Sequence, residues 1–198
     1  MENGSCNLGS INFDAFVKRP FTESAEFDLE RFREVIMHMT WGLDELLALL
    51  GDRHALPQQR DHVINWREIG LGIMGLADLA LSMGLEYGSP GFNKFLDTIM
   101  REMANSAAQA SALRAKELGV FPKYDWEAIK NSKFFQEVYT DETKALIEKY
   151  GLRNSRLLSI APTGSISNIL GVSGGVEPFY LLGYQRTIKS MFEKEKTI

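Results

Sequence analysis

Between Asp28 and Gly51, the apolar positions Leu29, Phe32, Val35, Ile36, Met39, Leu43, Leu46, Leu47 and Leu50 recur at steps of three and four. That period predicts an amphipathic helix, with Asp28 as its N-cap and Gly51 as its stop. After a polar connection containing Pro57, the pattern predicts a second helical tract from about Arg60 to Met83, closed by Gly84. Ser89-Pro90 pairs a capping side chain with proline at the first helical position. It opens the longest predicted helix, which runs through Phe92, Phe95, Leu96, Ile99, Met103 and Leu113 to Gly119. Two short helices are predicted at 125–131 and 141–150, the second stopped by Gly151.

The ends of the chain have a different texture. Residues 5–13 (SCNLGSINF) read as extended, and RLLSIA at 156–161 reads as a short buried strand. PTGS then forms a turn, SISNIL a short helix and GVSGGVEP a glycine-rich loop. Two strands separated by many helices predict a mostly α-helical α/β chain, organised as one domain over 1–198.

Gly70, Gly72 and Gly75 in GLGIMG match the letters GxGxxG. A dinucleotide site needs a strand feeding a glycine turn whose following helix receives the pyrophosphate. Here the flanking RDHVINWREI and LADLALSM read as helix. The three small residues are therefore expected to let a helix pack closely, and no dinucleotide site is expected.

Composition narrows the class. A formal charge of −4 with pI about 5.5 leaves no dominant basic patch of the kind that nucleic acid selects. No apolar run is long enough to span a bilayer, and Glu2 stands where a signal peptide would carry basic residues. The expectation is a cytoplasmic protein with neither nucleic acid nor membrane among its partners. One cysteine rules out an internal disulfide or a Cys-based metal framework. His38, His54 and His62 lack ligand spacing, so no metal site is expected.

The stretch best suited to chemistry is SIAPTGSISN. Strand, proline turn, glycine, hydroxyls and a helix start follow in the order that an anion cradle needs, because the first N–H groups of a helix have no internal partner. Gly164 would admit a phosphate to the main chain, and Thr163 and Ser165 offer hydroxyl donors. An ordinary turn with Thr163 or Ser165 as N-cap fits the same residues, and both readings stay open. Cys6 reads either as a small buried hydrophobe or as a redox thiol, which would need exposure and a partner. Glu177 reads as catalytic or as ordering its own loop, with the second favoured.

Five segments, SCNLGSIN, IGLGIMGLADL, LGLEYGS, APTGSIS and GVSGGVEPFY, occur in the order found in the large, catalytic subunit of ribonucleotide reductases. The resemblance runs from Ser5 to about Tyr184 and is closest to the adenosylcobalamin-dependent class; the iron- or manganese-dependent class has similar motifs. It implies part of a ten-stranded α/β barrel that reduces ribonucleotides to deoxyribonucleotides, the precursors for DNA replication. In that chemistry a thiyl radical takes the ribose 3′ hydrogen, and a cysteine pair supplies the electrons. By position, Cys6 resembles one member of that redox pair, and Ala161, Pro162, Thr163, Gly164, Ser165 and Ile166 resemble the loop that holds the substrate's phosphates.

The family's radical cysteine lies in an Asn-x-Cys-x-Glu motif upstream of SCNLGSIN, a position before Met1 here. The resemblance therefore implies a fragment of an oxidoreductase, inactive alone, that binds no cofactor itself. Adenosylcobalamin, or a radical-generating metal subunit, would serve the parent enzyme. Expected partners are the ribonucleotide, through its phosphates, and either a second copy or the missing upstream half. The alternative is a non-catalytic helical interaction module or a free-standing phosphate binder.

Overall fold

A computed structural model describes residues 4–179, 181, 183, 187–188 and 196–197. Strand β1 (Asn7–Asn12) comes first, followed by a short antiparallel pair, β2 (Val17–Lys18) and β3 (Glu26–Phe27). Helix α1 (Leu29–Leu50) begins where Asp28 accepts the N–H of Arg31, as the pattern predicts. Gly51 does not stop it in a left-handed conformation. It keeps φ −53° and passes into a 3-10 turn over Gly51–Arg53.

The long tract predicted over 60–83 is three elements rather than one helix. They are α2 (Pro57–Trp66), strand β4 (Ile69–Met74) and α3 (Leu76–Ser82). The break falls at Arg67, which adopts a left-handed conformation with φ 47° at the end of α2. Its guanidinium is held by the buried carboxylate of Asp44, with Nη2 at 2.6 Å and Nε at 3.1 Å from Oδ1. GLGIM is thus strand, with Gly70 and Gly72 serving sheet packing instead of helix packing, and Gly75 makes the left-handed turn into α3.

Ser89 caps α4 (Pro90–Leu118), which is the longest helix described and packs along α1. Trp41 Nε1 donates to Ala110 O at 3.0 Å across that contact. Next come α5 (Trp126–Lys130), α6 (Lys133–Val138), which was not anticipated, and α7 (Asp141–Tyr150). Asp125, Ser132 and Thr140 cap these three, each accepting a main-chain N–H with its side chain; caps of this kind stabilise a helix by about 1 kcal/mol. The chain ends with α8 (Gly164–Leu170) and a small antiparallel pair, β5 (Thr187–Ile188) and β6 (Lys196–Thr197). Tyr180 of GVSGGVEPFY and Tyr184 lie outside the described residues.

β1 and β4 run parallel in the register Leu8↔Gly70, Ser10↔Gly72, Asn12↔Met74. The RLLSIA stretch flanks β4 on its other side but forms only one bridge, Leu71↔Leu158, and is not a full strand. Three main-chain bonds hold it: Ile69 N–H to Arg156 O, Leu71 N–H to Leu157 O and Ser159 N–H to Leu71 O. Beyond Ser159 it leaves the sheet, and Ile160 is exposed rather than buried. Among the described residues these three parallel segments form no closed barrel.

Alternation of side chains gives the sheet two unlike faces. Ile69, Leu71 and Ile73 point into the core shared with α1 and α4. Phe13, Phe16 and Phe27 gather around Phe32 at its start, with centroids 5.1–5.2 Å from it. Burying each such ring contributes about 1.5–3 kcal/mol. The opposite face has Gly70 and Gly72 at its centre. A Cβ at Gly70 would lie 2.6 Å from Leu8 Cδ2, and one at Gly72 would lie 2.7 Å from Ser159 O. Glycine lets the neighbouring strands close over the middle one.

Candidate functional site

The glycine face leads to the predicted phosphate loop. Leu8, Gly9 and Ser10 of β1 share one open groove, of about 250 Å³, with Ala161, Pro162, Thr163, Gly164, Ser165 and Ile166. All six loop residues singled out in the sequence are therefore brought together. The parallel sheet sets the first strand beside them. Cys6 lies two residues before Leu8 and is exposed, which rejects the buried-hydrophobe reading and meets the access that a redox thiol needs.

Within the loop, the six residues have unlike roles. Thr163 occupies the N-cap position of α8 with φ 53° and ψ 20°, yet its side chain caps nothing. It is buried, and its Oγ1 accepts the N–H of Gly175 at 2.9 Å. Thr163 thus joins the loop to the glycine-rich segment rather than capping α8 with its side chain, and it still lines the groove. Gly164 and Ser165 are exposed at the helix start. No side chain among the described residues takes the place of the missing cap.

The glycine-rich segment 171–177 crosses behind this loop. A Cβ at Gly174 would lie 3.1 Å from Pro162 O, so the two segments pack backbone against backbone. Ser173 reaches the start of α3: its carbonyl accepts from Gly75 N–H and its Oγ from Ala77 N–H, while Asp78 Oδ2 accepts Ser173 N–H at 2.7 Å. Tyr87 donates its phenol hydrogen to Val176 O. Burial pushes that phenol above its ordinary pKa, which keeps it a donor.

Glu177 is exposed, and its N–H bonds Gly174 O at 2.9 Å. Its turn is ordered by main chain, and the residue lines a second cavity, of about 270 Å³, together with Pro162, Gly164, Ser167 and Asn168. Sequence reasoning missed Leu8, Ser10, Ser173 and Asp78, because each enters through a contact between residues distant in the chain.

The GxGxxG letters do not make a nucleotide turn. Strand and helix do flank Gly75, but Gly70 and Gly72 lie inside β4, and Ser173 occupies the N–H groups at the start of α3. His62 lies 3.0 Å from Glu68 and stacks on Trp66. Among the described residues there is no group of three side chains suited to a metal ion. Among them, too, no helix is long and apolar enough to cross a membrane.

A model of the ribonucleotide reductase barrel domain matches residues 1–197. The chain belongs to the ribonucleotide reductase barrel-domain family. A ribonucleoside-diphosphate reductase subunit alpha from Chlamydia pneumoniae is 31% identical over 200 residues, a match covering 90% of this chain and 18% of that protein. A vitamin B12-dependent ribonucleoside-diphosphate reductase from Mycobacterium tuberculosis is 32% identical over 184 residues, covering 93% and 23%. A ribonucleoside-diphosphate reductase large chain from Neurospora crassa is 31% identical over 192 residues, covering 92% and 20%. The chain thus spans about a fifth of the length of these reductases.

Proposed function

We propose that this chain supplies part of the catalytic centre of a ribonucleotide reductase, an oxidoreductase of deoxyribonucleotide synthesis built on a ten-stranded barrel. Its share is the substrate-phosphate loop 161–166 and, at Cys6, one thiol of the electron-donating pair. The observation that carries this reading is the shared groove. Two segments some 150 residues apart in this chain converge there, the strand that follows the exposed thiol beside a loop of open main-chain donors. The partner thiol and the radical-bearing cysteine would come from other sequence, so the chain alone performs no turnover.

The B12-dependent relatives support adenosylcobalamin as the radical source of such an enzyme; relatives named without it keep a metal-bearing subunit as the alternative. A corrin macrocycle far exceeds the groove, so Leu8–Ser10 and 161–166 would hold substrate and not that cofactor.

The test is calorimetric titration of a nucleoside diphosphate into the chain and into Gly164→Asp. A Cβ at Gly164 meets nothing within 4 Å, so the substitution is sterically free. A carboxylate in the first turn suits the helix dipole but repels phosphate. Binding at least tenfold weaker, with thermal stability kept, is expected. Equal affinity in the two proteins would remove the phosphate assignment.

Ile166, Ile169, Leu170 and Phe179 are 45%, 81%, 56% and 49% exposed. Such an apolar rim favours a second reading, in which this surface docks against another polypeptide. A concentration-independent monomer in sedimentation velocity counts against it.

A further inference from the structure

Ser173 forms a capping box supplied from a distance. Helix α3 starts at Gly75, which has no side chain to cap it. In an ordinary capping box, an N-cap hydroxyl accepts from the first turn while an acidic residue at the third helical position accepts the N-cap N–H. Here Ser173, far along the chain, plays the N-cap role. Its Oγ accepts Ala77 N–H at 3.2 Å, and Asp78, the third helical residue, accepts Ser173 N–H at 2.7 Å. Gly75 N–H to Ser173 O at 2.8 Å closes the clasp.

The clasp is only two residues from the next link. Gly175 N–H donates to Thr163 Oγ1, and Thr163 holds the left-handed turn from which the exposed N–H groups of Gly164 and Ser165 emerge. Left-handed backbone at a β-branched residue is costly and persists only where its surroundings hold it. Val172 N–H to Ser167 O fastens the far end of α8 to the same segment. α3 in turn follows directly on β4, whose register with β1 sets Leu8 and Ser10 on the other wall of the groove.

We propose that Ser173 and Asp78 are positioning residues for the 161–166 loop: their clasp fixes the glycine-rich segment, which holds Thr163 and thereby aims the loop's main-chain donors. The importance of that aim for substrate rests on the phosphate reading above; the mechanical link does not.

Two measurements separate the claims. Amide resonances of the isotopically labelled chain report the link without any ligand. Ser173→Ala should shift the amides of Thr163, Gly164, Ser165 and Ile166 as well as those of Ala77 and Asp78, and Ser173→Thr, which keeps the hydroxyl, should restore them. Thr163→Val keeps the clasp and cuts only the second link, so it should move Gly164–Ile166 and leave Ala77 and Asp78 in place. Asp78→Ala cuts the clasp from its other side and carries the test if Ser173→Ala does not fold. For Ser173→Ala or Asp78→Ala, shifts confined to the immediate neighbours of the substituted residue, with Gly164–Ile166 unmoved, overturn the proposal. Nucleoside diphosphate titration is the second arm. Binding weakened about tenfold in Ser173→Ala, at a temperature where both proteins are fully folded, is expected. If the unsubstituted chain binds no nucleotide, the phosphate reading fails while the amide shifts still decide the positioning role.

Discussion

Arg67 Nη2 lies 2.6 Å from Asp44 Oδ1, with the side chains 10% and 2% exposed. Asn154 Nδ2 bonds the same oxygen at 2.8 Å, while Arg153 and Arg114 approach the other oxygen at 3.5 and 3.9 Å. Burial and the nearby Arg67 push the Arg153 guanidinium below its ordinary pKa. One carboxylate thus compensates several guanidiniums at the point where α2 ends and β4 begins. Asp44→Ala strands these cations, and a loss of about 3–5 kcal/mol in urea denaturation is expected. Glu45, half exposed beside Arg114, gives the contrast: Glu45→Gln should cost under about 1 kcal/mol. Similar losses in the two variants would mean that the buried cluster is not what holds the junction.

Gly70 and Gly72 should differ although both face the same side of β4. A methyl at Gly72 meets Ser159 O, which is main chain and cannot swing away. Gly72→Ala is expected to cost about 1–3 kcal/mol. At Gly70 the obstacles are the tips of Leu8 and Ser159, and Leu8 is 58% exposed, so Gly70→Ala should cost less. Thermal melts of the two variants check the order; the reverse order contradicts the sheet register.

Cys6 should react with a water-soluble thiol reagent in the folded chain as completely as after denaturation, since it is exposed. Cys6→Ser should alter stability by no more than about 0.5 kcal/mol. A thiol protected until unfolding, seen by mass spectrometry after pulse labelling, would refute the placement.

Glu102 receives Arg33 Nε at 2.5 Å and Nη2 at 3.0 Å, and hydrogen bonding to that guanidinium holds its carboxyl below the usual glutamate range. A carboxyl whose folded pKa is depressed adds stability that is complete above its unfolded value, about 4.3. That stability disappears as pH falls through the lower, folded value. Glu102→Gln should therefore lower the melting temperature at pH 7 and flatten its decline below about pH 4.3. A variant that keeps the full acid decline would assign it to other groups.

Local signals carried most of the helices. Asp28, Ser89 and Gly151 act where the sequence places them, because capping depends on neighbours in the chain. β4 was misread because its helix-breaking residue is an arginine, whose left-handed backbone is sustained by an aspartate 23 positions away. The 156–161 stretch was read as a strand from its apolar run, yet it has a neighbour on one side only among the described residues. Loop 161–166 was legible as turn and helix start. The linking role of Thr163 was not, since it depends on Gly175 folding back over it.

Gly9 carries a consequence of its own. A Cβ there would lie 3.1 Å from Met39 Cε and 3.5 Å from Leu43, so α1 presses on β1 at that residue. Strand side chains alternate, and sliding β1 by one position against β4 would exchange its two faces. Ser10 would then have to pack against Met39 and Leu43, while Leu8 and its neighbours would leave the groove. The missing side chain at Gly9 thus favours one alignment of the strand, and with it the face on which Leu8 and Ser10 meet the groove.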